Sequence, residues 1–264
     1  MNWKKKLATY ASLSILATFI IHIINKLIYF MSTIDNLLGK KEGLYYEWRF
    51  GKIFYTKEGT GKPILLIHDL SACSSEYEWN RIVSDLSKTN TVYTLDLLGC
   101  GKSDKPNFTY TNFLYVQLVT DFINNVIGEK ADIIVTGNSC SFVLMACHNN
   151  DEIIDKILLI NPPSISSISK APTKRTKMLK FIINIPFIGT LLFNLLHSKD
   201  SIEQTFMTEY FYTPQFVDDE IVKTYCESAQ ISKTQSKYLF ASIKGKYTTC
   251  LLYTSPSPRD RSLS

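Results

Sequence analysis

The sequence predicts an α/β fold: a mostly parallel sheet with helices on both faces, a helical cap inserted after it, and an apolar helix in front. Strand-like and helix-like segments alternate through residues 62–164, which is typical of parallel sheets covered by helices. Residues 165–247 look helical, and residues 7–25 carry no charge. The chain has 264 residues, 45% of them hydrophobic and 20% charged, and this balance excludes disorder of the whole chain.

Residues 1–44 are expected to form an N-terminal membrane anchor and a linker. The uncharged run 7–25 is followed by Lys26 and by further apolar residues up to position 31. About 20 residues span a bilayer, so we expect a single-pass transmembrane helix over 7–31 and a membrane-bound protein. A buried amphipathic helix is an alternative, and so is a signal peptide, although no small-residue cleavage site follows. Lysines flank both ends, so the orientation stays open.

Residues 45–164 are expected to form the N-terminal part of the α/β core. A hairpin around Gly51 opens it, and the continuous apolar run 64–67 suits a strand buried on both faces. The other predicted elements, in chain order, are a helix over 76–88, a strand over 91–97, a helix over 110–127 closed by Gly128, a strand over 131–136, a helix over 140–149 and a strand over 156–160.

Residues 165–249 are expected to form the helical cap. The run 173–197 begins basic and becomes apolar, and Pro186 and Gly189 divide it into two helices. Further helices are predicted over 203–212 and 218–239.

Residues 250–264 do not continue this pattern. They are rich in Ser, Pro and Arg and have neither helical nor strand period. The run 250–260 resembles a translated sequencing adapter, so we expect a non-native tail. The natural protein is then expected to be longer, and this chain to lack the final strands and helices of the fold.

Three segments at predicted strand ends carry residues suited to chemistry. They are His68-Asp69, the DxxGxGxSD pattern of the Asp96–Pro106 loop, and Gly137-Asn138-Ser139-Cys140-Ser141 between a strand and a helix. On these segments, residues 45–247 resemble the α/β-hydrolase family, specifically its cap-domain, serine esterase-like members. The resemblance implies an enzyme that cleaves an ester or a related acyl bond through an acyl-serine intermediate.

The resemblance also implies a role for each position. Ser139 would be the nucleophile on a sharp strand-to-helix turn, where Gly137 and Ser141 are small enough for the crowded backbone. The backbone N–H groups of Cys140 and Leu70 would form the oxyanion hole.

Further positions around the turn would support the site. His68 would organise the loop without acting as the base, and Asn138 lies within the turn. Two positions depart from the family pattern: Asp69 and Phe142 each stand where the family usually has glycine. Glycine tolerates backbone conformations that other residues adopt only at a cost, so Asp69 is expected to alter the loop.

We identify no counterpart in this sequence of the catalytic acid and histidine that the resemblance implies. The family places both after the cap. The histidines are His22, His68, His148 and His197, and none of them is favoured as the base. We therefore expect the chain to be a fragment without its catalytic acid and base, and inactive.

The sequence predicts no cofactor, metal or nucleic-acid site. Gly99-Cys100-Gly101 is not a phosphate loop, because no helix with Lys-Ser/Thr follows it, and no cysteine pair has CxxC spacing. The net charge of +5 is too mild for nucleic acid. The expected partners are a small apolar ester-like substrate and, through the N-terminal helix, the lipid bilayer. The oligomeric state has no signature in the sequence.

Alternative functions remain open at the level of the sequence. A C–C bond hydrolase, a thioesterase and a cofactor-free haloperoxidase would share the fold. A non-enzymatic, membrane-tethered binding protein on the same scaffold is the alternative from another class, and Asp69 and Phe142 lend it support.

Overall fold

The computed structural model describes residues 3–233 and 235–249. The first element is one long helix, α1 (Trp3–Thr33). It is long and apolar enough to cross a membrane, a property that it shares with signal sequences. Residues 3–20 are exposed along their whole length, whereas the second half of the helix packs on the rest of the protein. The predicted non-native tail, 250–264, lies outside the described residues.

Six strands form one sheet with the order β1-β2-β4-β3-β5-β6. Strand β2 is antiparallel to both of its neighbours, and the pairs formed among β4, β3, β5 and β6 are parallel. The mostly parallel sheet predicted from the sequence is thereby confirmed. The strands are β1 (Leu44–Trp48), β2 (Gly51–Glu58), β3 (Lys62–Ile67), β4 (Asn90–Leu95), β5 (Ala131–Thr136) and β6 (Ile154–Ile160).

Helices cover both faces of this sheet, as its apolar strands require. On one face, Tyr115, Phe122 and Phe142 pack against the strands from α3 (Asn112–Phe122) and α4 (Cys140–Asn149). On the other face, Trp79 and Val83 cover Ile64, Leu66 and Val92. Strands β3 and β4 are therefore buried from both sides over most of their length. In β3 this explains the continuous apolar run 64–67.

Two predicted core helices differ from the observed ones. The helix predicted over 76–88 is a 3₁₀ turn, Glu76–Trp79, followed by the short α2 (Val83–Leu86). The Glu76 side chain, at the start of this segment, is buried against Lys41 at 3.0 Å instead of facing solvent. The helix predicted over 110–127 is α3 followed by one π turn, Ile123–Ile127, and Gly128 closes it at φ +77°.

The cap follows β6 and is helical in its described residues. Its helices are α5 (Ile165–Ile168), α6 (Lys174–Asn184), α7 (Ile188–Leu196), α8 (Lys199–Thr205), α9 (Asp219–Gln230) and α10 (Lys237–Lys244). The break predicted at Pro186 is present between α6 and α7, which meet at 102°. The helix predicted over 218–239 is wrong as a single element, because positive φ angles at Ser232 and Lys233 turn the chain between α9 and α10.

Candidate active site

The three predicted chemical segments meet at the carboxyl edge of the sheet. His68 follows β3, Asp96 follows β4 and Gly137 follows β5. Because β3 pairs in parallel with both β4 and β5, the three loops leave the sheet on the same side. Ligand sites of open α/β sheets lie at this edge.

Ser139 lies in the turn between β5 and α4, but its hydroxyl faces inward. Gly137 takes the left-handed conformation of the turn, at φ +54°, and a Cβ added there would lie 2.3 Å from Asp69 Oδ1. Ser139 itself has ordinary helical angles, φ −65° and ψ −23°. It is fully buried, and its Oγ donates to the His68 carbonyl oxygen at 2.6 Å. Ser141 Oγ donates to Asn138 O at 2.9 Å and closes the turn.

The Asp69 carboxylate occupies the backbone donors beside this turn. Its Oδ1 accepts the Asn138 backbone N–H at 2.6 Å and the Asn138 amide at 3.2 Å. The Leu70 N–H also favours the charged carboxylate, while burial raises the pKa of Asp69. The Cys140 N–H, predicted as an oxyanion donor, bonds back to Gly137 O within the turn. The protein's own carboxylate therefore accepts the Asn138 N–H, and the Leu70 N–H favours the same charge.

His68 has both ring nitrogens engaged. Nδ1–H donates to the Asp69 carbonyl oxygen at 2.7 Å, and Nε2 accepts the Leu97 N–H at 3.1 Å. Burial lowers its pKa to about 4, so the ring is neutral at physiological pH. The side chain joins the loop after β3 to the loop after β4, which fits the loop-organising role expected from the sequence.

Glu78 belongs to the site but was not predicted. Its Oε2 accepts the Asp69 backbone N–H at 3.2 Å, and its Oε1 accepts the Thr136 hydroxyl. Burial raises its pKa to about 7. The only signal in the sequence was a glutamate in an amphipathic pattern, where an exposed position is the ordinary expectation. Glu78 and Asp69 together make the base of the site acidic.

The raised pKa of Glu78 predicts an unusual pH dependence of stability. A carboxyl that binds its proton more tightly when folded contributes stability that is fully present below about pH 4.5 and is lost as the pH rises through about 7. Replacing Glu78 by Gln should remove this dependence. We expect the urea midpoint of the native chain, relative to that of Glu78→Gln, to fall between about pH 5 and about pH 8.

The comparison with the variant is needed because buried histidines act in the opposite direction. Burial lowers the pKa of His68 and of His197 to about 4. Their contribution to the stability of the protein is therefore lost as the pH falls below about 6.5. This contribution is common to the native chain and to Glu78→Gln and cancels in the difference. If the difference between the two urea midpoints stays the same from about pH 5 to about pH 8, the raised pKa of Glu78 is contradicted.

Two cavities open above the site, under the cap. One has a volume of about 320 Å³ and the other of about 590 Å³, and Asp69, Asn138 and Tyr210 line both. His197 at the end of α7 lines the smaller cavity, and Glu78 lines the larger one. Ser139 lines neither. The further cap residues at these walls are mostly aromatic or aliphatic: Leu196, Ile202, Phe206, Phe211, Ile221, Tyr225, Phe240 and Ile243.

Among residues 3–233 and 235–249, no imidazole or carboxylate is hydrogen-bonded to Ser139 Oγ. His22 lies on α1 against Phe187, His148 is exposed on α4, and His197 stacks on Phe193 in the cap. His197 Nδ1–H donates to Phe193 O at 2.9 Å. Within the described part of the chain, no group of three or more metal-ligating side chains is placed to hold an ion.

The family model described as "Alpha/beta hydrolase family" matches residues 64–264. The chain belongs to the alpha/beta hydrolase family. The antiparallel second strand, the parallel strands after it, and the cap after β6 are thus the core and cap of a hydrolase fold.

The relatives that this chain matches are named for more than one reaction class. The chain is 33% identical over 86 residues to the 2-hydroxy-6-oxo-6-(2'-aminophenyl)hexa-2,4-dienoic acid hydrolase of Metapseudomonas resinovorans, covering 32% of this chain and 29% of the relative. It is 24% identical over 183 residues to the soluble epoxide hydrolase of Corynebacterium sp. strain C12, covering 66% of this chain and 62% of the relative. The chain thus covers less than two thirds of the length of either relative.

Solved hydrolase structures share the fold. The epoxide hydrolase CorEH superposes with a TM-score of 0.59 at 16% identity, covering 77% of this chain and 73% of the other. A meta-cleavage product hydrolase from Pseudomonas fluorescens gives a TM-score of 0.58 at 20% identity, covering 83% and 71%. At such identities the likeness concerns the fold, on which different chemistries can be built.

Proposed function

We propose that the protein is a membrane-anchored serine hydrolase that cleaves an ester or a related acyl bond of a small apolar substrate. The observation that carries the proposal is the position of Ser139 at the β5–α4 turn, next in sequence to Asn138, which lines both cavities together with Asp69. Ser139 Oγ attacks the carbonyl carbon, and its proton passes to a general base. Backbone N–H groups hold the oxyanion, the alcohol leaves, and water hydrolyses the acyl-serine.

The proposal requires Ser139 to change its hydrogen-bond partner. In the structure, its hydroxyl donates to His68 O, and a bond of this kind contributes about 0.5–1.5 kcal/mol net. Substrate contacts can offset a cost of this size. Among the described residues, Ser139 Oγ contacts neither a general base nor an orienting acid through a hydrogen bond. The proposal therefore requires other residues for these two roles.

The chemistry of the cavity favours a neutral apolar substrate. The cap supplies aromatic walls from Phe206, Tyr210 and Tyr225, whereas the sheet supplies the carboxyls of Asp69 and Glu78. Among the described residues, no lysine or arginine lines the larger cavity. A substrate carboxylate there would meet Asp69 and Glu78 without a compensating charge, which is unfavourable in a poorly solvated pocket.

A second candidate is a C–C bond hydrolase, because the relative from Metapseudomonas resinovorans is named for a dienoic acid substrate. An acid of that type would place its own carboxylate near Asp69. Ser139 would be the nucleophile in both cases, so the two candidates differ in substrate and not in the attacking residue.

The nucleophile is tested by covalent labelling. A fluorophosphonate probe is expected to label Ser139 in the full-length protein and to leave Ser139→Ala unlabelled, with the modified peptide found by mass spectrometry. Ser141→Ala is the matched control, because Ser141 lies two residues away and keeps its hydroxyl on Asn138 O. Labelling that persists in Ser139→Ala would contradict the serine mechanism, and a protein that is never labelled would favour the non-enzymatic binding role.

The anchor is tested separately. Residues 3–20 of α1 are exposed and include the large apolar side chains Leu13, Ile15 and Phe19. A bilayer would remove this apolar surface from water. We expect the expressed chain to remain with membranes after a carbonate wash. Release by the wash, or cleavage of the chain near residue 32, would contradict the anchor.

A further inference from the structure

The second half of α1 is fixed to the turn between α6 and α7. The His22 ring meets the Phe187 ring edge-on, with centroids 5.6 Å apart. Asn25 donates from its amide to Phe187 O at 3.0 Å and accepts from the Asn194 amide at 2.9 Å. Asn25 and Asn194 are buried. Helices α6 and α7 and the turn between them, residues 174–196, form the cap hairpin. These contacts hold the cap hairpin in one position relative to α1.

This contact sets the depth of the hairpin. Lys26 ends the uncharged run 7–25, and His22 precedes it by four residues, or about 6 Å along a helix axis. If the uncharged run 7–25 of the predicted 7–31 helix fills the hydrocarbon core and Lys26 marks its edge, Phe187 lies level with the boundary between head groups and acyl chains. The hairpin then cannot stand clear of the membrane.

The surface of the hairpin suits that depth. Phe181 is 70% exposed and Ile188 is 56% exposed, and Met178 and Phe187 beside them are also exposed. A contiguous group of large apolar side chains on a surface marks a binding site for protein or membrane.

The charges around the hairpin select the membrane as the occupant. Lys174, Arg175 and Lys177 are exposed on the first turns of α6, and residues 170–199 contain no acidic residue. Lys26, Lys233 and Lys237 line a groove between α1 and the hairpin. Basic residues around an apolar face are the pattern of elements that lie in the interface of anionic lipids.

We infer that the α6–α7 hairpin is a second membrane-binding element, inserted into the interface of an anionic bilayer beside α1. The inference rests on the proposed anchor. Helix α7 runs from Ile188 at this surface to Leu196 and the adjacent His197 at the wall of the smaller cavity. The hairpin thus joins the bilayer to the candidate site, and the substrate class that fits is an apolar, lipid-like ester that enters from the membrane.

Tryptophan quenching in vesicles tests the position of the hairpin. The full chain is reconstituted in vesicles of phosphatidylcholine and phosphatidylserine with brominated acyl chains, and its fluorescence is compared with that in unbrominated vesicles. The variants are Phe181→Trp in the hairpin, Leu16→Trp in α1 and Tyr212→Trp in an exposed cap loop. The native chain, with Trp3, Trp48 and Trp79, supplies the background.

We expect the bromines to remove most of the added fluorescence of Phe181→Trp and Leu16→Trp and little of that of Tyr212→Trp. If Leu16→Trp is quenched and Phe181→Trp is not, the hairpin inference is overturned and the anchor stands. If neither variant is quenched, the proposed membrane anchor is contradicted, and the inference that rests on it is contradicted as well.

Discussion

Replacing Asp69 by Gly is expected to raise the rate of ester hydrolysis by about 10²–10³-fold, the range attributed to one oxyanion donor. The Asp69 carboxylate accepts the Asn138 N–H at 2.6 Å and also meets the Leu70 N–H. An oxyanion that develops at this position must displace a negative charge that is already there. Removing the side chain frees the Asn138 N–H and the space beside Gly137, where Asp69 Oδ1 now stands.

Matched variants separate the release of the donors from a simple loss of charge. Asp69→Asn keeps the shape of the side chain and its oxygen, so it should continue to occupy the donors and stay well below Asp69→Gly. The double variant Asp69→Gly/Ser139→Ala should not show the increase in the rate of ester hydrolysis. The measurement is turnover of a short-chain aryl ester by the full-length protein, together with the rate of fluorophosphonate labelling. Equal rates for Asp69→Gly and the native protein would contradict an inhibitory position for this carboxylate.

The sheet was predictable because its signals are local. The apolar run 64–67 and the strand predicted over 131–136 depend on neighbouring residues alone, and both appear as expected in β3 and β5. Helix α4 likewise spans the predicted 140–149. In each case the pattern of burial along a short segment decides the element.

The misassigned helices depend on contacts that a local pattern does not contain. Glu76 bonds through its N–H to Asp96 Oδ1, twenty residues further along the chain, and its side chain is paired with Lys41. The same holds at the site. The position of Ser139 at a strand end follows from the motif, whereas the closure of the donors by Asp69 and the support from Glu78 arise only when the loops after β3 and β5 meet.

Replacing Asp96 by Ala is expected to lower the free energy of unfolding by about 2–6 kcal/mol, since one buried and one half-buried N–H group would lose their acceptor at about 1–3 kcal/mol each. Asp96 is fully buried after β4. Its Oδ1 accepts the Glu76 N–H at 2.6 Å, and its Oδ2 accepts the Lys102 N–H at 2.7 Å. Water cannot easily replace the carboxylate in this position.

The Asp96 carboxylate is also where two loops of the site are joined. Ser103 Oγ donates to the Asp96 carbonyl at 2.6 Å, and Gly101, at φ +46°, leaves space for the carboxylate, since a Cβ there would lie 2.2 Å from Oδ2. Asp85→Ala is the control, because Asp85 is exposed and pairs only with Lys88 among the described residues, so its loss should change stability by less than about 0.5 kcal/mol. Urea unfolding in a mild detergent measures both variants. If Asp96→Ala unfolds at the same urea concentration as Asp85→Ala, Asp96 does not hold the loop, and a direct part in the chemistry of the site becomes the better explanation for its burial.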